Sequence, residues 1–213
     1  NNEKNNNNNF PKNIIVIGYR GTGKTSVAEL LARKLKWNLI STDKEIEKRI
    51  GNKTIAQFVQ QNGWQEFRKI EENILKEIHE NNVEHAIIDC GGGIVDVEEN
   101  ILLIKNIGTV ILLELSETTI IKRLQDSYHR PSLTNNSLDA EIKQTLEKRM
   151  PLYQNAADYT INREHKHVKQ TVDEILELVS TKTLEQRTKM KTEICVSIVE
   201  TSLFEAKQSI EDA

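Results

Sequence analysis

The chain has 213 residues, enough for one full α/β domain plus a remainder, and its 29 basic and 32 acidic side chains leave a net charge of −3. That balance supplies no basic field for nucleic acid, and no apolar run is long enough to cross a bilayer. The two cysteines, Cys90 and Cys195, lie far apart in different segments, which argues against a disulfide framework or zinc site and suits a reducing, cytoplasmic setting.

The first nine residues are nearly all asparagine. Such a stretch has too few apolar groups to offset the entropy of ordering, so residues 1–12 are expected to be a disordered lead-in or linker. A β-branched run, Ile14-Ile15-Val16-Ile17, then predicts a buried strand. It leads into Gly18-Tyr19-Arg20-Gly21-Thr22-Gly23-Lys24-Thr25, which fits G-x-x-x-x-G-K-[ST], and Ser26 to Leu35 follows with helical apolar spacing. Strand, loop and helix are the setting a phosphate-binding loop requires. Gly18, Gly21 and Gly23 let the backbone wrap an anion without a side chain in the way. The N–H groups around Thr22 and Ser26, with the helix N-terminus, point at the phosphates. Lys24 reaches the β- and γ-phosphates of ATP, and the Thr25 hydroxyl is placed to ligate Mg²⁺.

A short second strand, residues 37–40, brings Asp43 to a strand end, followed by a helix over 44–50. Carboxyl ends of parallel strands line the ligand crevice, so Asp43 is placed to meet a substrate; capping that helix is the alternative, and the spacing leaves both open. A short helix over 54–61 and a long one from about Gly63 to His79 come next. Within the second, Arg68 precedes Glu71 by three, a spacing usual for a solvated ion pair. A strand over 86–90 runs into Gly91-Gly92-Gly93, which brings backbone close to something at the ligand edge. Asp89 closes its apolar run as the metal-ordering acid of phosphate-loop NTPases does.

A helix over 98–105, a strand over 109–115 and a helix over 118–124 carrying Arg123 follow. The polar stretch 125–139, with Arg130-Pro131 inside it, is expected to be a mobile flap that brings a cation to the phosphates. A helix over 140–149, stopped by Pro151, would put Arg149 in its last turn. A strand over 157–162 and a helix over 168–179 close the domain near Ser180, with residues 181–192 as a linker. Strands alternating with helices predict an α/β phosphate-loop kinase: a parallel sheet flanked by helices on both faces, with a mobile lid.

Taken together, the phosphate loop, Asp43, Phe67-Arg68 with Glu71, Gly91-Gly92-Gly93, Arg130-Pro131 and Arg149 before Pro151-Leu152-Tyr153 resemble the shikimate kinase family over residues 13–179. The resemblance implies MgATP-dependent phosphorylation of the shikimate 3-hydroxyl. It also implies roles. Lys24 holds the transferring phosphate; Asp43 contacts the hydroxyls and accepts the proton. Arg68 and Arg149 clamp the substrate carboxylate. Gly91, Gly92 and Gly93 bind substrate through backbone, Arg130 closes over the phosphates, and Arg123 and Arg163 lie on the adenine side. The family has Asp-x-Asp at the end of the second strand, whereas Ser41-Thr42-Asp43 stand here. Asp89, where the family has a small residue, is read as taking over the metal role.

Residues 63–68, 90–95 and 151–154 resemble the kinase domain of the pentafunctional AROM polypeptide. Residues 193–206 are similar to the opening strand and helix of a type I 3-dehydroquinate dehydratase, which implies covalent fusion to other domains of that pathway. Two rivals remain: another small phosphate-loop kinase acting on gluconate or a nucleoside monophosphate, and a nucleotide-binding module without catalysis.

Overall fold

A computed structural model of the chain describes residues 10–51, 53–125 and 138–180. The Asn-rich stretch through Asn9, most of the expected flap with Arg130, and the expected linker and dehydratase-like tail lie outside the described residues. Pro11–Leu176 forms one compact unit.

Five strands, β1 (Asn13–Ile17), β2 (Asn38–Ser41), β3 (Ala86–Asp89), β4 (Thr109–Glu114) and β5 (Tyr159–Asn162), make one sheet in the order β2-β3-β1-β4-β5. Every pairing is parallel. The interior strands are continuous aliphatic runs because helices cover the sheet and leave neither side of a central strand wet. All five residues of β1 are buried. Asn13, at the start of β1, is buried too, and its amide ties three backbones together. It donates to Val83 O and Ile107 O and accepts from Ala86 N–H at 3.0 Å.

The helices are α1 (Lys24–Leu35), α2 (Thr42–Ile50), α3 (Ile55–Glu80), α4 (Glu98–Ile107), α5 (Glu117–Gln125), α6 (Leu138–Ala156) and α7, which begins at residue 168. Alternation of strand and helix is as the apolar periods predict. The span α3 consists of two helices, as expected, meeting at Gly63, whose φ of 82° and ψ of 165° are not helical. Its start is closed by a capping box: Thr54 Oγ1 accepts from Gln57 N–H, and Gln57 Oε1 accepts from Thr54 N–H. The expectation that Pro151 stops its helix does not hold. α6 runs through Pro151 to Ala156, and beyond the proline Tyr153 and Ala156 are fully buried. Burying them offsets the missing N–H, so Arg149 lies within the helix and not in a last turn.

The strand order sets the location of the crevice. β1 lies between β3 and β4, so the chain leaves it toward β2 on one side and later crosses to β4 on the other. Ligands bind at such a switch point, beyond the carboxyl ends of the strands. The loops after β1, β2 and β3 converge there.

Candidate active site

The phosphate loop follows β1 directly. Gly18, Gly21 and Gly23 have φ of 140°, 82° and 82°, a backbone that side-chain-bearing residues rarely adopt. Close approach adds to this: a Cβ on Gly18 would stand 2.5 Å from Leu113 O. Gly23 caps α1, so the first N–H groups of that helix have no partner within it and face the loop's concavity. Lys24 Nζ donates to Tyr19 O at 3.2 Å, which holds the ammonium over the loop.

The loop is also clasped from outside. Arg163, 3% exposed, donates from Nη1 to Thr22 O and from Nε to Thr171 Oγ1. Arg123 Nη1 donates to Gly21 O at 3.1 Å. Two guanidinium groups on the loop's carbonyls leave its N–H side for the anion. Burial, and then the charge of Arg123, pulls the Arg163 pKa down, so this corner is electrostatically suited to a polyanion. Expected on the adenine side, Arg163 lies buried against the loop itself.

Thr25 Oγ1 donates to Asp89 Oδ2 at 2.8 Å. The loop after β1 and the end of β3 therefore meet through the hydroxyl and carboxylate expected at the metal. Burial raises the Asp89 pKa, against the pull of the Thr25 hydrogen bond and Lys24. A buried carboxylate short of positive charge, beside a hydroxyl and a phosphate loop, is a hard-oxygen donor set that fits Mg²⁺. Among the described residues no cluster of three or more His, Cys, Asp or Glu could hold an ion alone. The pair instead suits a cation shared with substrate phosphates, as Mg²⁺ usually is.

Asp43 is neither the strand's last residue nor the helix cap. Ser41 caps α2, and Asp43 lies in its first turn, facing the crevice. Its Oδ1 would stand 2.7 Å from a Cβ on Gly91, and Glu71 Oε1 would stand 3.1 Å from the same atom. The glycine run is held as a turn. Gly91 N–H donates to Thr42 Oγ1 at 2.9 Å, Ile94 N–H to Gly91 O at 3.1 Å, and the Tyr153 hydroxyl to Gly92 O. At Gly93 a Cβ would lie 1.9 Å from Arg68 Nη2.

Arg68 donates from Nη1 to Glu71 Oε2 at 2.7 Å. This is not the solvated pair its spacing suggests: the Glu71 side chain has no exposed surface. Burial outweighs the nearby guanidinium and raises the Glu71 pKa to about 7. Its Oε1 has no hydrogen-bond partner among the described residues. Arg149 comes in from α6, and both arginines converge on one carboxylate, Asp96. Arg68 Nη2 donates to Oδ2 at 2.8 Å; Arg149 gives Nε to Oδ1 at 2.8 Å and Nη2 to Oδ2 at 2.6 Å. For Arg149, burial disfavours the charge, but the hydrogen bonds to Asp96 and the Asp96 charge outweigh it and raise the pKa.

The sequence candidates therefore gather at one sheet edge, with Arg130 outside the described residues. Thr42, Tyr153 and Asp96 were not singled out from sequence. Asp96 stands in the short apolar stretch after the glycines, where no motif or period marks it.

Comparison with known proteins agrees with this geometry. The sequence model of the family described as "Shikimate kinase" matches residues 20–180. A shikimate kinase of Thermodesulfovibrio yellowstonii is 40% identical over 153 residues, 72% of this chain and 86% of its own length. The solved shikimate kinase of Acinetobacter baumannii, in complex with shikimate, superposes with a TM-score of 0.74 at 28% identity, covering 80% of this chain and 94% of that one. The Aquifex aeolicus enzyme superposes at 0.67 with 34% identity, covering 83% and 98%. With the family model spanning most of the chain and a relative this similar over most of its own length, this chain belongs to the shikimate kinase family.

Proposed function

We infer that the protein transfers the γ-phosphoryl group of ATP to the 3-hydroxyl of shikimate. The observation carrying this reading is the pairing, at one sheet edge, of a complete phosphate loop with a two-arginine carboxylate clamp. In this reading the loop N–H groups and Lys24 hold the phosphates, and Thr25 with Asp89 would hold Mg²⁺. Bound there, the ion would supply neutralisation of phosphate charge. Arg68 and Arg149 grip the substrate carboxylate, and Gly92 and Gly93 line its ring. Asp43, beside Gly91 in the first turn of α2, orients the hydroxyl and takes its proton as the oxygen attacks. The attacking oxygen keeps the phosphoryl group, and ADP leaves with the negative charge that Lys24 faces. Catalysis of this kind is positioning plus electrostatic stabilisation.

A coupled ADP-release assay tests the assignment: ADP should form with shikimate and not with gluconate or a nucleoside monophosphate. ATP binding without shikimate-dependent release would favour the non-catalytic reading. For the metal role, Asp89→Ala should raise the Mg²⁺ concentration needed for half-maximal rate, and an unchanged requirement would remove Asp89 from the metal.

The finer placement, a kinase segment of a cytoplasmic AROM polypeptide, is supported by residues 63–68, 90–95 and 151–154 and by the dehydratase-like stretch 193–206. An antibody against residues 13–180 should then detect a native polypeptide far larger than 24.4 kDa.

A further inference from the structure

The clamp that should receive the substrate's carboxylate already holds one. Asp96 ends the short 3₁₀ turn Ile94–Asp96, and its N–H donates to Gly93 O at 3.0 Å. Ile94 and Val95 are buried, so the turn's backbone is anchored. The side chain receives the full fork of Arg149, Nε and Nη2, and shares Oδ2 with Arg68 Nη2. This is the bidentate arrangement a ligand carboxylate would take.

The two acidic partners of Arg68 differ. Glu71 is fully enclosed on α3, whereas the Asp96 side chain keeps 20% of its surface exposed and comes from a separate segment. Glu71 is thus the structural partner and Asp96 the exchangeable one, since a partly exposed carboxylate regains water when it lets go. The charged and titratable groups facing Asp96 are Arg68, Arg149, Glu71 and Tyr153.

We propose that Asp96 is a built-in competitor that occupies the arginine clamp in the absence of substrate, and that the substrate carboxylate must displace it to bind. This rests on Arg68 and Arg149 being the carboxylate clamp of a shikimate kinase. The competitor holds both guanidinium groups in carboxylate-binding geometry and keeps them from repelling each other. It also weakens apparent affinity by the fraction of time the clamp is closed, about tenfold for a clamp closed nine times in ten. An acceptor without a carboxylate gains nothing from the arginines, so its binding does not depend on whether Asp96 occupies them.

The test compares the full chain with its Asp96→Asn and Asp96→Ala variants. Asn keeps the shape but removes the charge; Ala removes both. The KM for shikimate should fall about tenfold in both, the KM for ATP should hold, and calorimetric titration with shikimate alone should tighten in parallel. Shikimate methyl ester, whose ester has no charge for the clamp, should gain nothing. A shikimate KM that stays the same or rises in Asp96→Asn, with wild type turning shikimate over, overturns the proposal and leaves the kinase reading standing. An equal gain for the methyl ester overturns it as well, because Asp96 would then act on the cavity and not on the clamp. Wild type with no shikimate-dependent ADP release overturns both.

Discussion

Two arginines that look equivalent in sequence have different environments, and their variants should separate. Arg149→Ala removes a guanidinium whose fork goes to the partly exposed Asp96. It should raise the shikimate KM by the equivalent of about 2–5 kcal/mol, with the ATP KM little changed. Arg68→Ala also strips the charge partner from the fully buried Glu71, so it should lower the melting temperature as well. Steady-state kinetics with thermal melts on both variants checks this; equal loss of ATP and shikimate binding would remove the arginines from the carboxylate. Glu71 itself carries a pH signature. Its pKa lies at about 7 in the folded protein against 4.5 when unfolded. Below pH 4.5 both states hold the proton and nothing is lost. As pH rises from 4.5 to 7 the unfolded state gives it up first, and folding stability falls, by about 3 kcal/mol once pH exceeds 7. Glu71→Gln removes that loss. Its melting temperature relative to wild type should therefore be higher at pH 8 than at pH 5, and a difference constant with pH would refute the buried-acid account.

At the scale of elements, α6 runs longer than local signals predict whereas α3 breaks where they predict, and each contains a nominal helix breaker. In α6 the buried Tyr153 and Ala156 hold the segment beyond Pro151. In α3 the break at Gly63 is real, with φ 82° and ψ 165° in a region that glycine alone occupies readily. Nothing lies within 4 Å of where its Cβ would be, so a substitution there meets backbone strain and no clash. Gly63→Ala should therefore cost about 1–3 kcal/mol, lowering the melting temperature by several degrees. Chemical denaturation measures it. No loss of stability would mean the helix simply straightens through the alanine.

For the whole molecule, every site residue described here, from Gly18 to Arg163, falls within the compact unit Pro11–Leu176. The site is assembled from the segments after β1, β3 and β5 together with α2, α3, α5 and α6, so it depends on that unit's sheet order. Removing residues 181–213 should leave the KM values for ATP and shikimate within about twofold of the full chain, a margin small against the tenfold that 1.4 kcal/mol produces. A large rise in either would show that the tail helps build the site.

The phosphate loop, the alternation of strands and helices, and the glycine run after β3 were legible in the sequence because each depends on local chemistry: glycine at positive φ, β-branched runs at buried positions, helical apolar spacing. So were Asp43, Asp89, Arg68 and Arg149 as candidates. Their relations were not. That Thr25 bonds Asp89 across 64 residues, that Arg163 clasps the loop it follows by 141, and that Arg68 and Arg149 meet on Asp96 are consequences of strand order. Placing β1 between β3 and β4 brings together side chains that no spacing along the chain relates. Burial decided the rest: it turned the i,i+3 pair Arg68–Glu71 from a surface feature into an enclosed one, and it carried α6 through a proline that local rules would have made its end.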